Sequence, residues 1–184
     1  MANKQSFNNF FKEGTRYFTG VDEVLLRNIE AAIDLAELTR TSIGPNGMKK
    51  IIKNHIGKLY VTGDAATILG EAEIQHPAAK MLVSASQMQA EQVGDGTNFV
   101  IVFAGELLKR ATELVRAGIN TKDIVLGYQK ALEEAIKILP QIQCQHKFNL
   151  EDRASVVAAI KTALSSHQFN DGDFLSEIVT DACL

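Results

Sequence analysis

The chain has 184 residues, 46% hydrophobic and 22% charged, with a formal net charge of -3. That balance supports one substantial core, or one domain with part of a second, and argues against wholesale disorder. Mild acidity gives no reason to expect nucleic acid or an anionic membrane surface as partner, and no apolar run approaches the roughly eighteen residues of a membrane span.

The opening stretch, MANKQSFNNFFKEG, lacks the apolar run of a secretory signal. Residues 1–20 are polar with scattered phenylalanines (Phe7, Phe10, Phe11, Phe18), an arm that packs either on this chain's core or on a neighbouring subunit. A helix is expected from about Asp22 to Arg40, with Leu25 or Leu26, Ile29, Ile33 and Ala36 on one face. It stops at Thr41-Ser42-Ile43-Gly44-Pro45-Asn46-Gly47, which cannot continue a helix. A short element around Met48 to Asn54 leads into Lys58–Thr62, whose alternation and aromatic and β-branched residues predict a strand.

Asp64 opens a short helix, DAATILGEAEI, and His76-Pro77 breaks the chain. The next helix, Ala78 to about Gln92, is expected to turn Met81, Leu82, Ala85 and Met88 inward as core packing. A long helix follows over about 97–117, with Thr97 at the N-cap and Val100, Phe103, Leu107, Ala111, Leu114 and Val115 three or four apart. Another runs from a Thr121 cap to Leu139, with Asp123 near its positive end and Pro140 closing it. The polar QIQCQHKFN is the best candidate for a domain boundary. Helices over about 150–164 and 172–184 complete the chain, the last without a stop signal, as though the sequence were cut inside a second domain.

Gly94-Asp95-Gly96-Thr97 carries the most chemistry. A helix start offers unpaired backbone N–H groups and the positive end of the dipole, glycines let the backbone approach phosphate oxygens, and an aspartate beside them suits magnesium. Asp-Gly is also an ordinary turn signal, and no lysine follows in the Walker pattern, so the four residues alone leave a nucleotide–magnesium site and a simple turn both open. Cys144 and His146 lack a second pair for a metal site, and His55 and His76 read as surface and turn residues. Cys144 and Cys183 have no CxxC spacing, which fits free thiols in a reducing compartment, the cytosol by default.

Three loops in order, Ser42-Ile43-Gly44-Pro45-Asn46-Gly47, Gly63-Asp64-Ala65-Ala66-Thr67 and Gly94-Asp95-Gly96-Thr97, occur together with His76-Pro77-Ala78-Ala79-Lys80. Over essentially the whole chain this set resembles the group II chaperonins, with their GPxGM loop, D-x-A-T-I-L segment, HPAAK and GDGT. The resemblance implies a mainly α fold with a small β element. Residues 1–142 would be the N-terminal part of an equatorial, ATP-binding and ring-contact domain, and 143–184 the start of the intermediate hinge domain, with no apical domain. It implies an ATP-dependent chaperone for cytosolic proteins, built as a double ring of paralogous subunits, using ATP/ADP and Mg2+. Unfolded clients would bind through regions this chain does not contain.

Carried over by position, Ser42, Ile43, Gly44 and Pro45 resemble the loop against the nucleotide, with Ile43 and Gly44 giving backbone contact. Asp95 resembles the magnesium-holding carboxylate, while Gly96, Thr97, Asn98 and Phe99 resemble the turn that wraps the phosphates, the Thr97 hydroxyl included. Asp64 resembles the acid near the γ-phosphate that orients water. A further aspartate that completes hydrolysis in that family lies beyond residue 184, so this segment alone is expected to hydrolyse feebly or not at all. The chain departs from the family pattern at Gly63, at Ala65, at Asn98-Phe99 and at His167, where a phosphate-sensing lysine is frequent. Two other readings are a truncated, non-catalytic module that docks with or competes for the ring, and a small stand-alone ATPase or kinase-like enzyme; the absent Walker lysine weighs against the second.

Overall fold

The computed structural model describes residues 21–143, 149–165 and 171–184. The phenylalanine arm, Cys144, His146 and His167 lie outside the described residues. The described elements are α1 (Val21–Arg40), β1 (Lys50–Lys53), β2 (Leu59–Thr62), α2 (Ala65–Glu71), α3 (Pro77–Val93), α4 (Thr97–Arg116), α5 (Thr121–Ile142), α6 (Arg153–Ser165) and α7 (Gly172–Cys183). The mainly α expectation with one small β element holds.

The core forms where α1 and α4 lie against each other, with α2 and α3 closing around them. α1 buries Ile29, Ala32, Leu35, Ala36 and Thr39, a stripe of three- and four-residue steps. α4 answers with Thr97, Ile101, Gly105 and Ala111. The two backbones come so close that a Cβ on Gly105 would lie 2.3 Å from the Cβ of Ala36. Ala65, Ile68 and Leu69 of α2 and Ala79 of α3 complete the cluster.

This contact overturns two sequence expectations. On α4 the predicted apolar spacing is only partly inward: Ala111 is buried, but Phe103 is more than half exposed, stacked on Phe99 with ring centroids 5.5 Å apart. NFVIVFAG is apolar nearly all round, so spacing alone did not choose a face; the only glycine in α4 marks it, because there α1 comes too close to leave room for a side chain. On α3, Met81 and Met88 face solvent at 75% and 56% exposure, and the inward line is Ala79 and Ser86 with Leu82 and Val83 beside them. Small residues sit inward here because the helices lie close, which leaves no room for methionine.

β1 and β2 form an antiparallel ribbon with Lys50 opposite Thr62 and Lys53 opposite Leu59. Asn54 closes its turn: its N–H donates to the Lys58 carbonyl at 3.0 Å and its Oδ1 accepts from the Lys58 N–H at 2.9 Å. Ile52 packs on the core and so fixes which face of the ribbon is inward.

α5 is capped by Asn120, whose side chain accepts from the Lys122 N–H at 3.0 Å, rather than by Thr121. Pro140 does not close it; the helix runs on to Ile142, only two residues past a proline whose missing N–H affects just the last turn. Only Ile124 of α5 is buried, and Leu132, Ile136 and Leu139 are all about half exposed or more. α6 and α7 pack chiefly on each other, with Arg153 bonded to Asp181 at 2.7 Å and Lys161 paired with Asp173. Among the described residues no helix is long and apolar enough to cross a membrane.

Candidate functional site

α1 ends in a folded loop rather than a loose one. The Met48 N–H donates to the Thr41 carbonyl at 2.8 Å, and the Ser42 hydroxyl donates to the Met48 carbonyl at 2.8 Å. Gly47 sits inside this turn, where a Cβ would meet the Ser42 carbonyl oxygen at 2.4 Å. The cross-links hold the backbone of Ser42, Ile43 and Gly44 along one wall of a cleft of about 440 Å³.

The second wall begins at the end of β2. Asp64 is the N-cap of α2, and its Oδ2 accepts from the Thr67 N–H at 2.8 Å and from the Thr67 hydroxyl at 2.7 Å. Its Oδ1 accepts from the Thr97 hydroxyl at 2.6 Å. Burial pushes this carboxyl up, but the hydrogen bonds from Thr97 and Thr67 outweigh it and hold the group below the usual aspartate range. Asp64 is thus an oriented, persistent anion on the cleft.

The third contribution comes from the turn between α3 and α4. Gly94 and Gly96 both take left-handed φ values, +79° and +80°, which an L side chain rarely adopts. They reverse the chain around Asp95, whose Oδ1 accepts from the Gly96 N–H at 2.7 Å while Gln89 Nε2 donates to its carbonyl at 2.9 Å. The N-cap of α4 is Gly96, not Thr97, and no side chain caps it. The first intrahelical bond runs from the Val100 N–H to the Gly96 carbonyl, so the N–H groups of Thr97, Asn98 and Phe99 have no intrahelical partner. These are the groups an anion at a helix start would use.

The structure brings together on this cleft Ser42, Ile43, Gly44, Asp64 and Asp95, and the helix-start residues Gly96 to Phe99. Pro45 is not among the lining residues. Two of these side chains are committed within the protein, one of them, the Thr97 hydroxyl, against the sequence expectation. The Thr97 hydroxyl gives its proton to Asp64 rather than to the open cleft, and Thr97 is buried. Asn98 bridges backbone, its Oδ1 accepting from the Ala65 N–H at 2.9 Å and its Nδ2 donating to the Gly63 carbonyl at 3.0 Å. Both residues therefore offer the cleft their backbone while their side chains lock the Gly63–Ala65 turn to α4.

Gly47, Lys49, Val61 and Thr62 also line the cleft and were missed from sequence. The signal was strand pairing, since Lys49 lies just before β1, which runs antiparallel to β2, the strand that ends at Thr62, two residues before Asp64. His76 is the N-cap of α3 and is not among the lining residues; its Nδ1 is buried with no hydrogen-bond partner among the described residues.

Among the described residues no group of three or more His, Cys, Asp or Glu could hold a metal ion by itself. The two lining carboxylates, Asp64 and Asp95, are hard oxygen donors suited to magnesium, but only with further oxygens supplied by phosphate and water. The residues therefore fit a cation that arrives with its phosphate ligand.

Residues 35–184 match the TCP-1/cpn60 chaperonin family. The chain is 49% identical over 178 residues to the T-complex protein 1 subunit theta of Gallus gallus, covering 97% of this chain and 32% of that protein. Identity is 48% to the theta subunit of Homo sapiens, with the same coverage, and 46% to that of Arabidopsis thaliana, covering 96% and 32%. The chain spans about a third of the length of these curated relatives.

Proposed function

This chain belongs to the TCP-1/cpn60 chaperonin family, and from that premise we propose that it serves an ATP-driven protein-folding chaperone whose nucleotide site is the cleft between the α1–β1 loop, Asp64 and the start of α4. The observation that carries this reading is the convergence of an uncapped helix start with two aspartates and a cross-linked backbone loop. Nothing in an ordinary turn requires all three at one place.

The backbone N–H groups of Thr97, Asn98 and Phe99 bind phosphate oxygens, with the helix dipole adding to the attraction. Ser42, Ile43 and Gly44 present backbone to the ribose and base. Asp95 would hold magnesium together with the phosphates, and such an ion would supply positive charge to offset that of the phosphoryl oxygens. Asp64, fixed by Thr97 and Thr67, orients the attacking water.

Residues 1–142 then form the N-terminal part of the equatorial domain and 143–184 the start of the intermediate domain. Ring partners are paralogous subunits, clients are unfolded cytosolic proteins bound elsewhere in the full subunit, and the half-exposed apolar side chains of α5 are covered within that assembly.

Calorimetric titration with ATP and magnesium tests the site, comparing the wild-type protein with Asp95→Asn. Magnesium-dependent binding that Asp95→Asn weakens by tenfold or more is expected, and ATP binding indifferent to magnesium and to Asp95 refutes the assignment. Native mass tests the assembly: the protein should migrate in cytosolic extract as a complex many times the 20.1 kDa of this chain.

A further inference from the structure

We propose that Lys49 is the residue that sets this cleft's preference for a polyphosphate ligand, an inference that rests on the nucleotide reading above. The ribbon's register ends with Lys50 opposite Thr62, and Lys49, directly before that pair, lines the cleft together with Gly63 and Asp64. Exposure alternates along the strand, with Lys50 and Ile52 half-buried and Lys49, Ile51 and Lys53 outward. Val61 shares that outward face and lines the cleft with Lys49, so this end of the ribbon forms one of its walls.

Two neighbouring lysines are thereby given different tasks. Lys50 Nζ donates to the Thr41 hydroxyl at 2.8 Å and steadies the α1–β1 loop. Lys49 enters no ion pair or hydrogen bond among the described residues, and it is the only lysine or arginine lining the cleft. The lining side chains are otherwise charged only at Asp64 and Asp95, which repel a phosphate chain when no cation is present. Helix N–H groups are neutral donors, so discrimination by charge falls to the ammonium, a compact point charge on a flexible stem.

The chemistry recognised is the phosphate chain, not the nucleoside. Lys49→Gln should therefore weaken ATP binding while leaving adenosine unaffected, whereas a solvated surface lysine would change neither.

The test titrates ATP with magnesium, and adenosine, into the intact protein as isolated from cells, at low and at raised salt. It compares wild type, Lys49→Gln, Lys49→Arg and Lys53→Gln, the last removing a charge from the same ribbon face away from the cleft. Expected is a loss of about tenfold in ATP affinity for Lys49→Gln at low salt, equivalent to about 1.4 kcal/mol. Raised salt should shrink that loss, Lys49→Arg should restore most of the affinity, and Lys53→Gln should match wild type. Wild-type ATP binding that Lys49→Gln leaves within twofold overturns the inference and spares the nucleotide site. An equal loss in Lys53→Gln also overturns it, by assigning the effect to overall charge. Absence of ATP binding in the wild type overturns both readings together.

Discussion

The hydroxyl of Thr97 donates to Oδ1 of Asp64 at 2.6 Å, tying the first residue of α4 to the N-cap of α2. One short hydrogen bond thus sets the position of the helix start relative to the acid beside it. Asn98 reinforces the link by bonding the backbone on either side of Asp64, at Gly63 and Ala65. Helix start and acid are placed as one unit.

Thr97→Val keeps the shape of the side chain and removes its donor. Because Thr97 is buried and its acceptor is charged, a stability loss of about 1–3 kcal/mol is expected, read from urea denaturation. ATP affinity should fall with it, since Asp64 is no longer held. Thr97→Ser, which retains the hydroxyl, should recover most of both; equal losses in Ser and Val would assign the effect to packing.

Acid should release the same linkage. The folded state holds the Asp64 carboxyl below the usual range, so the unfolded chain binds its proton at a higher pH than the folded chain does. The resulting stabilisation is fully present above the unfolded-state value, and it is lost as pH falls from there through the lower folded value. Asp64→Asn keeps an N-cap side chain without the titrating charge. Denaturation midpoints measured from pH 7 to pH 3 should fall less steeply for Asp64→Asn than for wild type, with the divergence confined to below about pH 4.

What the sequence disclosed and what it withheld divide along one line. The Asp64 cap, the break after α1 and the order of the three loops were legible, because Asp64, Gly44-Pro45 and Gly94–Gly96 act on their own neighbours; the caps of α4 and α5 were each placed one residue late, at Thr97 and Thr121 instead of Gly96 and Asn120. Faces were not. The apolar spacing included Phe103, which is exposed, and passed over Gly105, which is buried, because a uniformly apolar helix is oriented by its partner, and the approach to Ala36 is not written in either segment alone. Met81 and Met88 went astray for the same reason: Ala79 and Ser86 are inward because they are small. Lys49 escaped notice because its place depends on the β1–β2 register. The Thr97 hydroxyl was expected to face phosphate, whereas its partner is Asp64, more than thirty residues earlier in the chain.

Gly47→Ala should damage the cleft without touching any proposed ligand contact. Its Cβ would lie 2.4 Å from the Ser42 carbonyl oxygen and 3.0 Å from that of Gly44, both backbone atoms that cannot swing aside. The turn must open, breaking the bonds that join Ser42 to Met48 and Gly47 to Gly44. ATP affinity is expected to drop at least tenfold, while the helical core, read by far-ultraviolet circular dichroism, stays as in wild type. An unchanged affinity would mean that the wall formed by Ser42–Gly44 does not need this turn.

Gly105→Ala probes the close approach of α1 and α4 in the core. The added methyl would lie 2.3 Å from the Cβ of Ala36, far inside contact distance, and both residues are buried between α1 and α4. Separating the helices to admit it would strain the packing around Leu35 and Ile101, with an expected cost of about 1–3 kcal/mol. The displacement also reaches the site, because α4 begins at Thr97 and α1 ends at the loop that carries Ser42. Ala36→Gly removes the opposing methyl, so the double variant Ala36→Gly/Gly105→Ala should be more stable than Gly105→Ala alone, although glycine within α1 is itself unfavourable by about 1 kcal/mol. A double-mutant cycle in urea measures the coupling directly. A coupling near zero would mean that the two helices separate as freely as if the methyls never met, and the small-residue contact would then not be what sets the face of α4.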